Sequence, residues 1–378
     1  MGIKSILLWR ILPVIFLAIA LVFGWLASHE VPAGRFFATL IPLMKGVLPP
    51  TIVGHGKMVG TPEVPDDMMP QPRPEKEMLL DLPGGYKMPQ NGIGMCCRPT
   101  AYDDVLVERT ILWYLLLGGR HIDGAHLYLN HKAIGKGIAE AIRRGVNREE
   151  IFVTTKVFPT QFGYDSVIKN VKNYLKDLGL DYIDLILLHF PSHLPYIMSS
   201  PCTKEGKDAA TCRRETWKAL SELREQGLIR NAGVSNFAIK HLKDLEGVGA
   251  PIANNQIQFS PFEPEFVMET VEYCAKNNIT VTAYSPLGGI MDQSKAMANE
   301  ILNKMSNKYE RPISQIMLRW AMQRGFAVIP GTGNPNHMKE NLDIYEFQIH
   351  DDDMKTINEL KHIAQAEGFM HMDVREVE

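Results

Sequence analysis

The sequence predicts an α/β protein built as a (β/α)₈ TIM barrel that starts with a hairpin and is preceded by one transmembrane helix and a Pro-rich linker. Three observations lead to this prediction. Short apolar runs alternate with amphipathic helical segments from residue 78 onward, a pattern typical of parallel strands. Eight strand-helix units suit a closed barrel better than an open doubly wound sheet. Several runs also end in titratable residues, as strands do at the reactive end of such a barrel.

The hairpin is predicted within residues 78–95, where Pro83-Gly84-Gly85 supplies the turn. The next strand ends at Gly92 and Gly94, which lack the third glycine of a dinucleotide-binding loop and so argue against an open sheet. The predicted strands cover residues 92–95, 120–124, 151–156, 184–190, 229–234, 254–258, 279–284 and 326–330. Helices are predicted at 102–117, 132–144, 164–178, 212–226, 238–246, 265–277, 295–308 and 312–324.

The composition is that of a globular protein with a large core. The chain has 378 residues, a formal net charge of -3 and 45% hydrophobic residues. Nucleic-acid binding usually needs a basic stripe, so no nucleic-acid partner is predicted. The five cysteines are too few for a disulfide scaffold and form no CxxC pair. The histidines lack metal-ligand spacing, so no metal is predicted.

The N-terminal segment is apolar and uncharged over residues 11–27, after Lys4 and Arg10. A membrane-spanning helix needs about 20 apolar residues, which this segment reaches only by including Ile6–Trp9 and burying or snorkelling Arg10. We predict a single-pass membrane anchor, with the N-terminus in the cytosol and the barrel lumenal or exterior. One alternative is a cleaved signal peptide ending near Ala27–Ser28, which would leave the protein in the secretory pathway or an organelle lumen. A buried core helix is the weakest alternative.

Composition divides the chain into four parts. Residues 29–77 are rich in proline and show little periodicity, which indicates a linker. The predicted organisation is an anchor or signal segment at 1–28, the linker at 29–77, the barrel at 78–365 and a C-terminal tail at 366–378.

Four polar residues near the ends of three successive predicted strands form a candidate proton-donor cluster: Asp123, Tyr128, Lys156 and His189. A tyrosine beside a lysine, a carboxylate and a histidine is suited to general acid-base chemistry. Each residue also has a structural interpretation. Tyr128 could be a contact at the rim, Asp123 and Lys156 a structural ion pair, and His189 a core histidine.

Eight stretches of the chain, in order and at matching spacing, resemble the aldo-keto reductases over about residues 78–350. They are MPQNGIG (88–94), GRHIDGAHLYLNHKAIG (119–135), VTTK (153–156), LDYIDLILLHFP (180–191), GLIRNAGVSNF (227–237), NNQIQFSPF (254–262), VTAYSPLG (281–288) and VIPGTGNPNHMKENL (328–342). One stretch alone would be weak evidence, whereas eight together are highly specific.

The resemblance implies catalytic roles for the four strand-end residues. Tyr128 would donate the proton in carbonyl reduction and act as the base in oxidation. A free tyrosine has a pKa of roughly 10, and we expect the Lys156 ammonium, paired with Asp123, to lower it. His189 would hydrogen-bond the substrate carbonyl and orient it.

The resemblance also implies a nicotinamide-dinucleotide site. Ser235, Asn236 and Gln256 match the family's ligands of the carboxamide, and Tyr284 matches the aromatic ring that stacks on the nicotinamide. Ser285 and Leu287 fall where the family contacts the diphosphate. As alternatives, Ser235-Asn236 could cap a helix and Tyr284 could be a core aromatic.

The site for the far end of the nucleotide departs from the family pattern. Related enzymes carry a Lys-Ser pair after Ile-Pro and then an Arg, which grip the 2′-phosphate of NADP. Here the positions hold Gly331, Thr332 and His337, without a fixed cation. Glu340 and Asn341 match positions that contact adenine. NADP(H) is the predicted cofactor, NAD(H) is possible, and the preference for NADPH should be weaker than usual.

The predicted substrate pocket also differs from the family pattern. Cys96 stands where the family commonly has Trp, and Phe190 follows the catalytic histidine. The long loop at 192–211 would shape the pocket further. Cys96 could be a reactive thiol or an inert lining residue. Cys202 and Cys212 bracket the loop and could form a disulfide in an oxidising compartment or remain free thiols in the cytosol.

The predicted function is reduction of small aldehydes or ketones by hydride transfer from NAD(P)H, in a monomeric catalytic domain. One alternative is a membrane-associated regulatory module that binds nicotinamide nucleotide with little turnover. Another is a non-redox isomerase or aldolase on the same barrel, which would act without nicotinamide.

Overall fold

The fold is a single parallel barrel with surrounding helices, and the computed structural model describes residues 60–192, 199–288, 294–361, 375 and 377. The strands are β1 Leu79–Asp81, β2 Lys87–Pro89, β3 Gly92–Gly94, β4 His121–Asp123, β5 Phe152–Val157, β6 Ile183–Leu188, β7 Ile229–Ser235, β8 Asn254–Gln258, β9 Thr280–Tyr284 and β10 Ala327–Val328. The helices are α1 Asp104–Leu116, α2 His131–Arg143, α3 Tyr164–Leu178, α4 Pro201–Lys204, α5 Ala209–Glu225, α6 Ile239–Lys243, α7 Glu265–Lys276, α8 Ser294–Ala298, α9 Glu300–Tyr309, α10 Ile313–Gln323, α11 Pro335–Leu342 and α12 Asp351–Asn358.

The eight strands β3 to β10 pair in parallel and in chain order, each with the next. The two ends of the sheet meet at a parallel bridge between Asn91 and Val328. Val328 N donates to Gln90 O at 2.8 Å, and Gly94 N donates to Pro330 O at 3.1 Å. These bonds bring the first and last strands together, which confirms the predicted barrel.

The predicted hairpin is also confirmed. β1 and β2 pair antiparallel around a turn at Pro83–Gly85, where Gly84 has a φ of 83° that favours glycine. Leu82 and Met88 are buried in one apolar cluster with Phe152 and Ala327, the first residues of β5 and β10. The hairpin therefore covers the amino-terminal end of the barrel, and the carboxyl-terminal end is left for a site.

Several helices begin at residues other than those predicted, because a polar side chain caps the first turn. The predicted helix at 295–308 is two helices, α8 and α9, because Asn299 Oδ1 accepts from Leu302 N and starts a new helix. α5 begins before residue 212 because Asp208 caps it through Thr211 N. The short α4 lies inside the predicted loop at 192–211, capped by Ser200. α11 and α12 follow the last strand and were not predicted.

The last part of the predicted linker lies against α1. Trp113 Nε1 donates to Pro62 O at 3.0 Å, and Gln71 N donates to Leu116 O at 2.7 Å. The hydroxyls of Thr61 and Thr110 are buried together at 3.0 Å. Residues 60–77 are thus packed on the barrel. The predicted anchor lies outside the described residues, and no helix among the described residues is long and apolar enough to cross a membrane.

Candidate active site

A cavity of about 350 Å³ lies at the carboxyl-terminal end of the barrel, opposite the hairpin. Its walls come from residues that follow or end five of the strands and from the loop after β3. The lining residues include Gly94, Cys96, Cys97, Arg98, Asp123, Leu127, Tyr128, His189, Phe190, Ser235, Asn236, Gln256, Tyr284, Ser285, Leu287, Ile329, Pro330 and Gly331. Most of the predicted site residues therefore meet in one cavity.

The structure brings the four predicted catalytic residues together. Asp123 ends β4, Lys156 lies in β5, His189 follows β6, and Tyr128 ends a short 3₁₀ turn at His126–Tyr128. Lys156 Nζ pairs with Asp123 Oδ1, donates to Gly124 O at 2.9 Å and lies 3.4 Å from the Tyr128 hydroxyl. Lys156 is fully buried, so its ammonium depends on these partners.

The ionisation of Tyr128 differs from the sequence-based expectation. We expected the lysine to lower the pKa of the phenol. In the structure, burial raises the pKa of Tyr128 well above 10, and the Asp123 carboxylate raises it further. The hydroxyl sits in a low-dielectric cavity beside a carboxylate, so burial decides the direction. Tyr128 is therefore a neutral phenol, which is the form that a proton donor requires.

The pKa values of Lys156 and His189 are shifted in the opposite direction, below their ordinary values. Burial lowers the pKa of Lys156 from 10.5, while the Asp123 carboxylate opposes this shift. Burial and the Lys156 charge lower the pKa of His189 well below 6.5, so its imidazole is neutral. The His189 ring stacks on Phe190 at 4.9 Å between centroids and meets the Tyr128 ring edge-on at 5.7 Å. A neutral imidazole in this place can donate one hydrogen bond without carrying charge.

The predicted carboxamide ligands are joined in one network. Gln256 Nε2 donates to Asp123 Oδ2 at 2.7 Å, and Ser235 Oγ donates to Gln256 O at 2.9 Å. Asn236 Nδ2 donates to His189 O at 3.0 Å, and the Tyr284 hydroxyl donates to Asn236 Oδ1 at 2.8 Å. Ser235-Asn236 does not cap a helix, because α6 begins at Ile239 after Ala238.

Three non-glycine residues of the cavity hold left-handed backbone conformations. Cys97 has a φ of 63°, Asn236 a φ of 61° and Ser285 a φ of 51°. Such conformations cost of order 1–3 kcal/mol and cluster at functional sites. Asn236 and Ser285 are at positions predicted to contact the dinucleotide, and Ser285 and Leu287 line the cavity.

The residues predicted for the far end of the nucleotide lie beyond the cavity wall. Thr332 precedes α11, and its Oγ1 accepts from Asn334 N at 3.0 Å. His337 and Glu340 are exposed on α11, and Asn341 is half-buried there. None of these four residues is among the described residues that line the cavity with the predicted catalytic residues.

Arg98 and Cys97 line the cavity, although the sequence did not single them out. The sequence could have indicated Arg98, because it is a charged residue that closely follows a strand ending in Gly92-x-Gly94. Cys97 is paired with Cys96, the predicted pocket residue, with Cα atoms 3.7 Å apart. Cys202 is paired with Cys212, with Cα atoms 5.7 Å apart.

The described residues contain no cluster of three or more His, Cys, Asp and Glu that could hold a metal ion.

Comparison with known proteins gives a consistent match over the barrel. The sequence profile of the Aldo/keto reductase family matches residues 90–362. A 9,11-endoperoxide prostaglandin H2 reductase of Trypanosoma cruzi (strain CL Brener) is 32% identical over 290 residues, 76% of this chain and 93% of the relative. An NADP-dependent D-sorbitol-6-phosphate dehydrogenase of Malus domestica is 34% identical over 297 residues, 74% of this chain and 92% of the relative.

The fold has solved counterparts in the same family. The crystal structure of an aldo-keto reductase of Bombyx mori in complex with NADP has a TM-score of 0.67 and 30% sequence identity. The similarity covers 80% of this chain and 95% of that one. The profile match, the relatives and the barrel agree, and the chain belongs to the aldo/keto reductase family.

Proposed function

We propose that Tyr128 is the proton donor of this enzyme, an NADP(H)-dependent oxidoreductase that reduces small aldehydes or ketones to alcohols by hydride transfer. One observation carries the assignment: the Tyr128 hydroxyl lies 3.4 Å from the buried Lys156 ammonium, in the cavity that His189 also lines. A donor, a cation to stabilise its anion and a group to orient a carbonyl oxygen are thus held together.

The proposed proton transfer depends on the protonation states of Tyr128, Lys156 and His189. Tyr128 is neutral before reaction, and its O–H gives a proton to the carbonyl oxygen as that oxygen gains charge. The phenolate left behind faces the Lys156 ammonium, which is stabilised by Asp123 and Gly124 O. His189 is neutral, so it donates a hydrogen bond to the substrate oxygen without competing as an acid.

The residues present fit a nicotinamide dinucleotide. The amides of Asn236 and Gln256 and the hydroxyl of Ser235 can pair with a carboxamide, since each offers both donors and acceptors. The half-buried Tyr284 ring borders the same cavity and provides a stacking face. When bound, the reduced nicotinamide supplies the hydride. The side chains around it fix which face of the ring points toward Tyr128.

We also propose that the preference for NADPH over NADH is below about a hundredfold, the contribution expected from strong charge-assisted bonds to one phosphate. The position after Ile329-Pro330 is glycine, and the exposed His337 stands where the family pattern has an arginine. Thr332 and backbone N–H groups remain as phosphate ligands. Parallel titrations of both dinucleotides check this value.

The N-terminal segment is proposed to anchor the barrel to a membrane, with the catalytic domain a monomer on the lumenal or exterior side. The uncharged run at 11–27 supports the anchor, and the pairing of Cys202 with Cys212 supports an oxidising compartment. Alkaline extraction of membranes separates an anchor from a cleaved signal peptide. Protease protection of sealed vesicles then reports which side the barrel faces.

The reaction is tested with the full chain in detergent, supplied with NADPH or NADH and a panel of small aldehydes and ketones. Oxidation of the dinucleotide that depends on the carbonyl compound is the expected result. Tight dinucleotide binding with no oxidation in a single turnover would favour the regulatory alternative. Conversion of a substrate without any nicotinamide would favour the isomerase or aldolase alternative.

A further inference from the structure

Arg98 is a cation at the cavity wall, and the part of the chain that the structure describes offers it no acidic partner. It lies in the loop after β3, where its guanidinium bonds Gly94 O, Thr100 Oγ1 at 3.1 Å and Met95 Sδ at 3.3 Å. Two of these acceptors are neutral oxygens and one is a thioether. No carboxylate among the residues that the structure describes forms an ion pair with Arg98. These three acceptors hold the guanidinium in place without contributing a full negative charge.

Gly331, which follows the neighbouring strand β10, lies directly beside this guanidinium. A Cβ atom built on Gly331 would lie 2.9 Å from Arg98 Nη1, which is too close for an ordinary contact. Gly331 does not have a positive φ, so its backbone does not itself require glycine. The missing side chain at this position leaves the space that Arg98 occupies. The family pattern has a lysine at this position, whereas here the Arg98 guanidinium lies beside a glycine.

The environment of Arg98 favours binding of an anion. Burial lowers the pKa of its guanidinium to about 10, because the surrounding protein solvates the charge poorly. The guanidinium is half-buried and its described acceptors are all neutral, so an anionic ligand would stabilise the charge. The planar guanidinium can bond two phosphate oxygens at once.

We propose that Arg98 binds the diphosphate bridge of the nicotinamide dinucleotide. This inference depends on the proposed function. The diphosphate is favoured over the 2′-phosphate because Arg98 lines the same cavity as Tyr128 and His189, whereas Thr332 and His337 lie outside it. Since NADH and NADPH share the diphosphate, one cation from Arg98 serves both cofactors.

The test measures the dissociation constants of NADPH and NADH by calorimetry, with the full chain and no carbonyl substrate. Arg98→Met should weaken both dinucleotides by about 10- to 100-fold, the range of a lost charge-assisted bond, and leave their ratio unchanged. Arg109→Met is the matched control, because Arg109 pairs with Glu63 on the outer face of α1 and does not line the cavity. The control should bind both dinucleotides as the wild type does.

A second variant separates lost charge from lost folding. Gly331→Lys alone should bind weakly because the new side chain meets Arg98, whereas Arg98→Met with Gly331→Lys should recover most of the affinity. Loss of NADPH binding alone in Arg98→Met would overturn the diphosphate assignment in favour of the 2′-phosphate. Unchanged binding of both would overturn the role of Arg98 altogether. A wild-type chain that binds neither dinucleotide would instead contradict the proposed function.

Discussion

Gln256 Nε2 donates to Asp123 Oδ2 at 2.7 Å, while the other oxygen of the same carboxylate pairs with Lys156. One carboxylate thus connects the lysine that faces Tyr128 with a residue proposed to hold the carboxamide. Both oxygens are buried, so each needs its partner. This carboxylate therefore joins the proposed proton-donor residues to the proposed dinucleotide site.

Gln256→Leu should lower both kcat and dinucleotide affinity, by about tenfold or more each, because Asp123 Oδ2 loses its donor. Steady-state kinetics and calorimetric binding measure the two effects. Gln90→Leu is the control: Gln90 is also buried and bonds Met322 O at 2.9 Å, and neither residue lines the cavity. That control should cost stability and leave binding intact. A loss of stability alone in Gln256→Leu would mean that the bond to Asp123 is only structural.

Lys156→Met should reduce activity by about 100-fold or more, because the Tyr128 phenolate loses its cation. It should also move the pH profile of alcohol oxidation to higher pH, since Tyr128 must ionise to act as the base. The variant leaves Asp123 buried without a counterion, which costs about 3–5 kcal/mol. Lys156→Met with Asp123→Asn removes that penalty. If the double variant regained normal rates, the lysine would have no part in catalysis.

The barrel and the meeting of Asp123, Tyr128, Lys156 and His189 at one end of it could be predicted because their signals are local. Strand alternation, titratable residues at strand ends and spacing all follow from short stretches of chain. Arg98 could not be predicted, because its role depends on Gly331, which approaches only when the barrel closes. The direction in which the pKa of Tyr128 shifts also required the structure. Spacing alone suggests that Lys156 lowers this pKa, whereas burial of the phenol raises it. The sequence predicts one helix where α8 and α9 are two. The apolar residues keep a helical spacing across Asn299, so the sequence does not show that Asn299 caps a new helix.

The pairing of Cys202 with Cys212 should stabilise the protein. Closing a loop of this length, with a sequence separation of 10, is worth about 3 kcal/mol in the chain-entropy account. Denaturant unfolding should show Cys202→Ala with Cys212→Ala to be less stable than the wild type under oxidising conditions. The difference should shrink under reducing conditions, where the wild type has lost the same bond. A difference that persists unchanged in reductant would show that packing, not the disulfide, is responsible.

Stability should fall as the pH drops from about 6.5 toward 4, partly through His121. Burial lowers the pKa of His121 from 6.5 to about 4. In that interval the unfolded state binds a proton that the folded state does not, so protonation favours unfolding, by up to about 3 kcal/mol for one such group. His121 bonds Pro89 O at 3.0 Å and Thr154 Oγ1 at 3.1 Å, and glutamine can replace both contacts without titrating. His121→Gln should therefore show a shallower pH dependence of unfolding, and an identical slope would contradict this account.

The central claim is that Tyr128 gives the proton, and Tyr128→Phe tests it most directly. The full chain is loaded with NADPH, mixed with a reactive aldehyde and followed through a single turnover. Because phenylalanine keeps the ring but cannot donate, the account predicts a rate at least about 100-fold slower, with an unchanged dissociation constant for NADPH. A single-turnover rate equal to that of the wild type would contradict the assignment of Tyr128 as the donor.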